Sequence, residues 1–145
     1  MFIYLAKELP QYNFSLIICE KEEIIYDYLY NECDCIELPT NLLIYPTQSN
    51  IHKFLYNSDL MLNLTDSNYI IETFGMTILE AMAYGIPSIV PNVGGPTELI
   101  ENGYNGFCVD VTNIDVLKTS INKILNKSEY PQYVSNTLTK YSYFQ

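Results

Sequence analysis

The 145-residue chain carries a formal net charge of −10, with 48% hydrophobic and 17% charged residues. That describes at most one ordinary globular domain with enough chain to bury a core, and its acidity argues against nucleic acid, whose phosphates are bound through clustered cations. No apolar run approaches the ~20 residues of a membrane span, and no basic-then-apolar leader opens the chain, which favours the cytoplasm if Met1 is the natural start.

Phe2, Leu5, Ala6 and Leu9 recur at helical spacing, and Pro10 closes that helix. Residues 14–19 form a short apolar run of strand length. Residues 22–30 are again helical, with Ile24, Ile25, Tyr28 and Leu29 as the apolar positions. Residues 35–38 read as a short strand ended by Pro39. Residues 42–45 read as a connecting segment, with a strand as the alternative. Ile51, Phe54 and Leu55 mark a short helix, and residues 60–64 a strand. A helix over 76–84 stops at Gly85, and a strand occupies 88–91. Pro96 fits the first turn of a helix that Gly103 ends. Residues 107–111 are a strand. Ile114, Leu117, Ile121, Ile124 and Leu125 form the apolar stripe of a final helix, with Asn113 as its N-cap. Strands alternating with helices predict an α/β fold with a mainly parallel sheet.

The most informative stretch is Glu72-Thr73-Phe74-Gly75-Met76-Thr77-Ile78-Leu79-Glu80. Gly75 can take the backbone geometry of a tight strand-to-helix turn, and the free N–H groups of the helix that follows form an anion site. Glu72 precedes that turn and Glu80 lies about one turn into the helix. Two acceptor-only groups beside an anion site suit a ligand with a phosphate and hydroxyls on either side, such as a nucleotide-sugar.

The continuation is specific. After Glu80 come Ala81-Met82-Ala83-Tyr84-Gly85-Ile86-Pro87, then Gly94-Gly95-Pro96-Thr97-Glu98, then Gly103-Tyr104-Asn105-Gly106. This order resembles the donor-binding domain of family-4 glycosyltransferases, retaining enzymes of the GT-B fold, and the match is tight from about Asn57 to Leu125. The resemblance implies a Rossmann-like, mainly parallel sheet with helices on both faces. It also implies an enzyme of hexosyltransferase type in polysaccharide or glycoconjugate biosynthesis, using a nucleotide-diphosphate sugar and no metal or cofactor. The acceptor, a glycan, lipid or protein, would be held by a separate N-terminal domain absent from this chain.

Carried onto this chain, the resemblance makes Glu72 the catalytic carboxylate that contacts the transferred sugar, without acting as a base toward the acceptor. Glu80 would bind the ribose hydroxyls. Phe74, Gly75 and Met76 would act through backbone N–H groups on the sugar and phosphates, with Thr77 as an addition. Gly94, Gly95 and Glu98 would shape the nucleotide crevice. Bland readings stand beside these. Glu80 is otherwise a solvated helix carboxylate, Glu72 an exposed loop carboxylate, and the two glycines a tight strand-to-helix turn. Gly85, Pro87, Gly103 and Gly106 read as structural punctuation, and the 14 tyrosines as packing residues.

Family members open this domain with a strand carrying the diphosphate-binding Arg and Lys, and here the text begins inside the helix that follows. The expectation is therefore a partial donor domain over 1–145, cut at both ends and lacking its first, central strand. By itself it would be inactive. The cations agree with that reading: all seven are lysines, and none lies between Lys53 and Lys118. A helix N-terminus stabilises an anion by about 0.3–1 kcal/mol when exposed and ~2 when partly buried, too little for a diphosphate. Two alternatives remain, a non-catalytic nucleotide-sugar-binding subunit and a GT-B-type nucleotide-sugar epimerase.

Cys33 and Cys35 lack zinc-site spacing and His52 is the sole histidine, so Cys19, Cys33, Cys35 and Cys108 read as free thiols. Asn13, Asn63 and Asn126 each open an N-x-S/T triplet, which chance explains unless the protein is secreted.

Overall fold

The computed structural model describes residues 1–27, 29 and 37–145. They divide into two compact units, Met1–Ile51 and His52–Gln145.

In the first unit, helix α1 (Phe2–Glu8) buries Leu5 and Ala6. Strand β1 (Phe14–Ile17) follows, then helix α2 (Glu22–Asp27) and strand β2 (Leu42–Tyr45). β1 and β2 pair in parallel, Phe14 opposite Leu42 through Ile17 opposite Tyr45. Residues 42–45 are therefore a strand and not the connecting segment expected first. Asn41 fastens the entry to β2: its Nδ2 donates to the carbonyls of Ala6 and Tyr12 at 2.9 and 2.8 Å. Of the strand expected at 35–38, Cys35 and Ile36 lie outside the described residues, while Glu37 and Leu38 are in no strand. Cys33 and the end of the expected 22–30 helix also fall largely outside them.

The second unit opens with helix α3 (His52–Tyr56) and strand β3 (Met61–Leu62), the latter shorter than the expected 60–64. Helix α4 (Met76–Ala83), strand β4 (Ser88–Pro91), helix α5 (Pro96–Leu99) and strand β5 (Gly106–Val109) continue the alternation. The strands lie in the order β3-β4-β5, all parallel. β4 is buried at every position, as a central strand covered on both faces must be, which accounts for the apolar Ile89-Val90-Pro91 that follows Ser88. Ile78 and Met82 of α4 pack with Val90, Leu99 and Ile100 into one cluster. Each such side chain contributes about 1.5–3 kcal/mol on burial.

α5 stops at Leu99, short of the Gly103 expected to end it, because Ile100 is extended and Asn105 captures the backbone there. The buried Asn105 accepts from Glu101 N–H at 2.8 Å and donates to Leu99 O at 3.1 Å. Helix α6 (Ile114–Ile124) is capped as expected: Asn113 accepts from the N–H groups of Asp115 and Val116. It is not the final helix. A further helix, α7 (Tyr130–Tyr141), packs against α4, with Val134 and Leu138 closing on Gly85. A 3-10 turn at Ser142–Phe144 follows.

Candidate functional site

The stretch from β3 to α4 forms a turn whose parts are locked from several sides. Gly75 is the N-cap of α4 with φ 92° and ψ 51°, the left-handed geometry expected of it. Its carbonyl accepts from Ile78 and Leu79 at 3.0 and 3.2 Å. The N–H groups of Met76 and Thr77 therefore have no acceptor within the helix, and no side chain caps them. This is an open donor cluster at the positive end of a helix of eight residues.

The second glycine turn seats on the first. Gly95 N–H donates to Glu72 O at 2.9 Å. A Cβ on Gly95 would stand 2.2 Å from Thr73 O, and one on Gly94 2.5 Å from Glu72 O. These two glycines thus admit the backbone of residues 72–74, so the 94–95 turn and the 72–75 loop form one piece. That is a structural reason for the pair, and it places the start of α5 beside the loop. Thr97 Oγ1 donates to Gly94 O at 2.7 Å and Glu98 N–H to Gly95 O at 3.0 Å.

Around that piece the expected site residues take distinct positions. Glu72 is half-buried, while Phe74, Met76 and Thr77 are exposed at the start of α4. Glu80 is exposed on α4 and Glu98 on α5. Asn63 was not singled out for a role at this site. It is 8% exposed, its Nδ2 donates to Glu72 Oε2, and its Oδ1 accepts from Thr65 N–H at 3.0 Å. A triplet pattern marked it only as a glycosylation acceptor; its burial and both bonds argue against that role. Fixing a glutamate side chain forfeits up to about 1.5–2 kcal/mol of rotamer entropy, and here Asn63 orders it within the fold.

Among the described residues no group of three or more His, Cys, Asp or Glu is placed to hold a metal ion. None of their helices is long and apolar enough to cross a membrane. Cys19 and Cys108 are free thiols, and partial burial raises the Cys108 thiol above its ordinary pKa. His52 Nδ1 lies 2.7 Å from Tyr84 Oη, a packing role away from the glycine turns.

Parallel strands alternating with helices, with a glycine turn opening into a helix, define an α/β fold. The chain matches the family Glycosyl transferases group 1 over residues 1–141, and it belongs to that family. N-acetyl-alpha-D-glucosaminyl L-malate synthase of Bacillus anthracis is 39% identical over 85 residues, covering 54% of this chain and 21% of that protein. A sucrose synthase of Melioribacter roseus is 41% identical over 69 residues, 48% of this chain and 9% of that protein. The chain thus spans at most 21% of the length of these two relatives. Among solved structures, Anabaena HepE in complex with UDP and glucose superposes with a TM-score of 0.77 at 23% identity, covering 96% of this chain and 39% of that one. At that identity the likeness shows the fold, which is of GT-B type.

Proposed function

We propose that this chain is the donor-binding part of a retaining glycosyltransferase that moves a hexosyl group from a nucleoside-diphosphate sugar to a hydroxyl acceptor. The acceptor, a glycan, lipid or protein, is held by a separate domain. The observation that carries the reading is the joined pair of glycine turns, which sets Glu72 immediately before the uncapped N-terminus of α4. The UDP and glucose in the HepE structure support a nucleotide-sugar as the ligand class.

In this reading the N–H groups of Phe74, Gly75, Met76 and Thr77 face the sugar and phosphates and oppose the charge that develops on the leaving diphosphate. Glu72 accepts from hydroxyls of the transferred sugar. Glu80 accepts from the ribose hydroxyls, and Gly94, Gly95 and Glu98 border the nucleotide crevice. No metal or cofactor enters the proposal. No lysine or arginine lies between Lys53 and Lys118, so the cations that hold the diphosphate come from outside that stretch. With the acceptor held by a separate domain, the 145 residues alone are proposed to be inactive in transfer. We place the reaction in the cytoplasm, in polysaccharide or glycoconjugate assembly, with the full-length protein free or peripheral to a membrane.

The test is product analysis with the full-length protein, screened against UDP-, GDP- and ADP-hexoses. Transfer with retained anomeric configuration is expected. A product of inverted configuration, or a nucleotide-sugar merely epimerised, removes the reading.

A further inference from the structure

We propose that Asn63 is a positioning residue for donor turnover, holding the Glu72 carboxylate in the orientation that meets the transferred sugar. The inference rests on the proposed sugar-side role of Glu72. Asn63 directly follows β3, and its N–H donates to Ile89 O at 2.9 Å, so its backbone stays registered on the buried strand β4. Its side chain is buried and carries both of its functions to defined partners, Oδ1 to Thr65 N–H and Nδ2 to Glu72 Oε2. Those partners fix the amide's orientation. Flipped, it would set NH₂ against an N–H and a carbonyl oxygen against a carboxylate.

A purely structural residue here needs less. Capping Thr65 requires only an acceptor, and filling space requires no polar atom at all. Neither explains a donor aimed at a carboxylate nine residues away in sequence. The backbone of Glu72 is separately pinned by Gly95. Glu72 is thus held at both ends before any donor arrives, with Oε2 engaged by Asn63 and Oε1 left for a sugar hydroxyl. Preset geometry of this kind acts on turnover more than on binding of the diphosphate.

The experiment is a double-mutant cycle in the full-length protein. Diphosphate release is measured with whichever of UDP-, GDP- and ADP-hexose it turns over, and affinity is measured for the matching bare diphosphate. Asn63→Asp keeps the acceptor for Thr65 and removes the donor to Glu72. It should lower kcat by roughly 10- to 100-fold with diphosphate affinity within about twofold, since misplacing a reacting group costs about that much. On a Glu72→Gln background, Asn63→Asp should cost little more, because its target is already gone. If Asn63→Asp fails to bind the diphosphate and so fails as a folded control, Asn63→Ser, which keeps a hydroxyl for Thr65, is judged by the same criteria. Unchanged kcat in the Asn63 variant beside an impaired Glu72→Gln overturns the positioning role and leaves the site reading intact. Equal losses on both backgrounds make Asn63 structural and overturn it as well. An unimpaired Glu72→Gln, or release from no donor, overturns the site reading and this inference together.

Discussion

Gly95 donates its N–H to the carbonyl of Glu72 at 2.9 Å, and a side chain at 95 would run into the backbone of Thr73 and Phe74. The contact joins two glycine-containing motifs separated by a helix and a strand, and it sets the height of the loop that carries Glu72.

Gly95→Ala should therefore act at a distance on the proposed donor site. The added Cβ would meet Thr73 O at 2.2 Å and Phe74 Cα at 2.6 Å, both backbone atoms that cannot rotate aside. Overpacking of this kind costs about 1–3 kcal/mol. The melting temperature should fall by about 2–8 °C for each kcal/mol lost, and nucleotide-sugar affinity should fall with it. An alanine variant with unchanged melting and unchanged affinity would show that the two turns are not packed as described.

Asn105→Ala should be among the more destabilising polar substitutions. Asn105 is fully buried and serves Leu99 O and Glu101 N–H where α5 ends. Each group left unsatisfied costs about 1–3 kcal/mol. Denaturant unfolding should show a clear loss of stability, while Asn102→Ala, removing an exposed bond to Cys108 N–H, should lose less. The reverse ranking would contradict the burial seen here.

Much of the second unit was legible because its signals are local. Glycine at a left-handed position, Asn113 before an amphipathic helix and a short apolar run at 89–91 each act within a few residues. What escaped depends on distant partners. Four apolar residues at 42–45 become a strand only through pairing with 14–17. α5 ends early because Asn105 captures its backbone from six residues away. α7 carries three Tyr and two Thr and few aliphatic residues, and packing of Val134 and Leu138 on Gly85 supports it. Asn63 looked like a bare triplet until the fold set it against Glu72. The positions of the expected site residues follow from their motifs, because Gly75 and the Gly94-Gly95 pair shape the backbone that carries them.

Tyr130 gives a pH signature. Burial, followed by the charge of Asp59 and a hydrogen bond with it, pushes its phenol up to about 12. An unfolded tyrosine ionises near pH ~10. The folded chain thus keeps a proton that the unfolded chain releases over this window. The contribution is complete below pH ~10 and is lost as pH rises through about 12. Relative to Tyr130→Phe, the unsubstituted protein should hold its melting temperature up to pH ~10 and lose it from there towards about pH 12. Parallel shifts of the two proteins would count against this raised phenol.

Glu80 and Glu72 should separate by ligand. Glu80 is exposed on α4, and in the proposed site it meets the ribose, a part common to donor and product nucleotide. Glu72 sits before the helix, and in the same proposed site it meets only the sugar. A carboxylate bonded to hydroxyls contributes about 1.5–3 kcal/mol, roughly a 10- to 150-fold change in affinity. In the full-length protein, Glu80→Ala should weaken binding of both the bare diphosphate and the intact donor by that order. Glu72→Ala should leave the bare diphosphate unaffected, weaken the donor and lower turnover. Calorimetric titration of each variant with both ligands reads the difference directly. Equal losses for the bare diphosphate would mean that the two carboxylates are assigned wrongly, because a sugar-side group has nothing to hold once the sugar is gone.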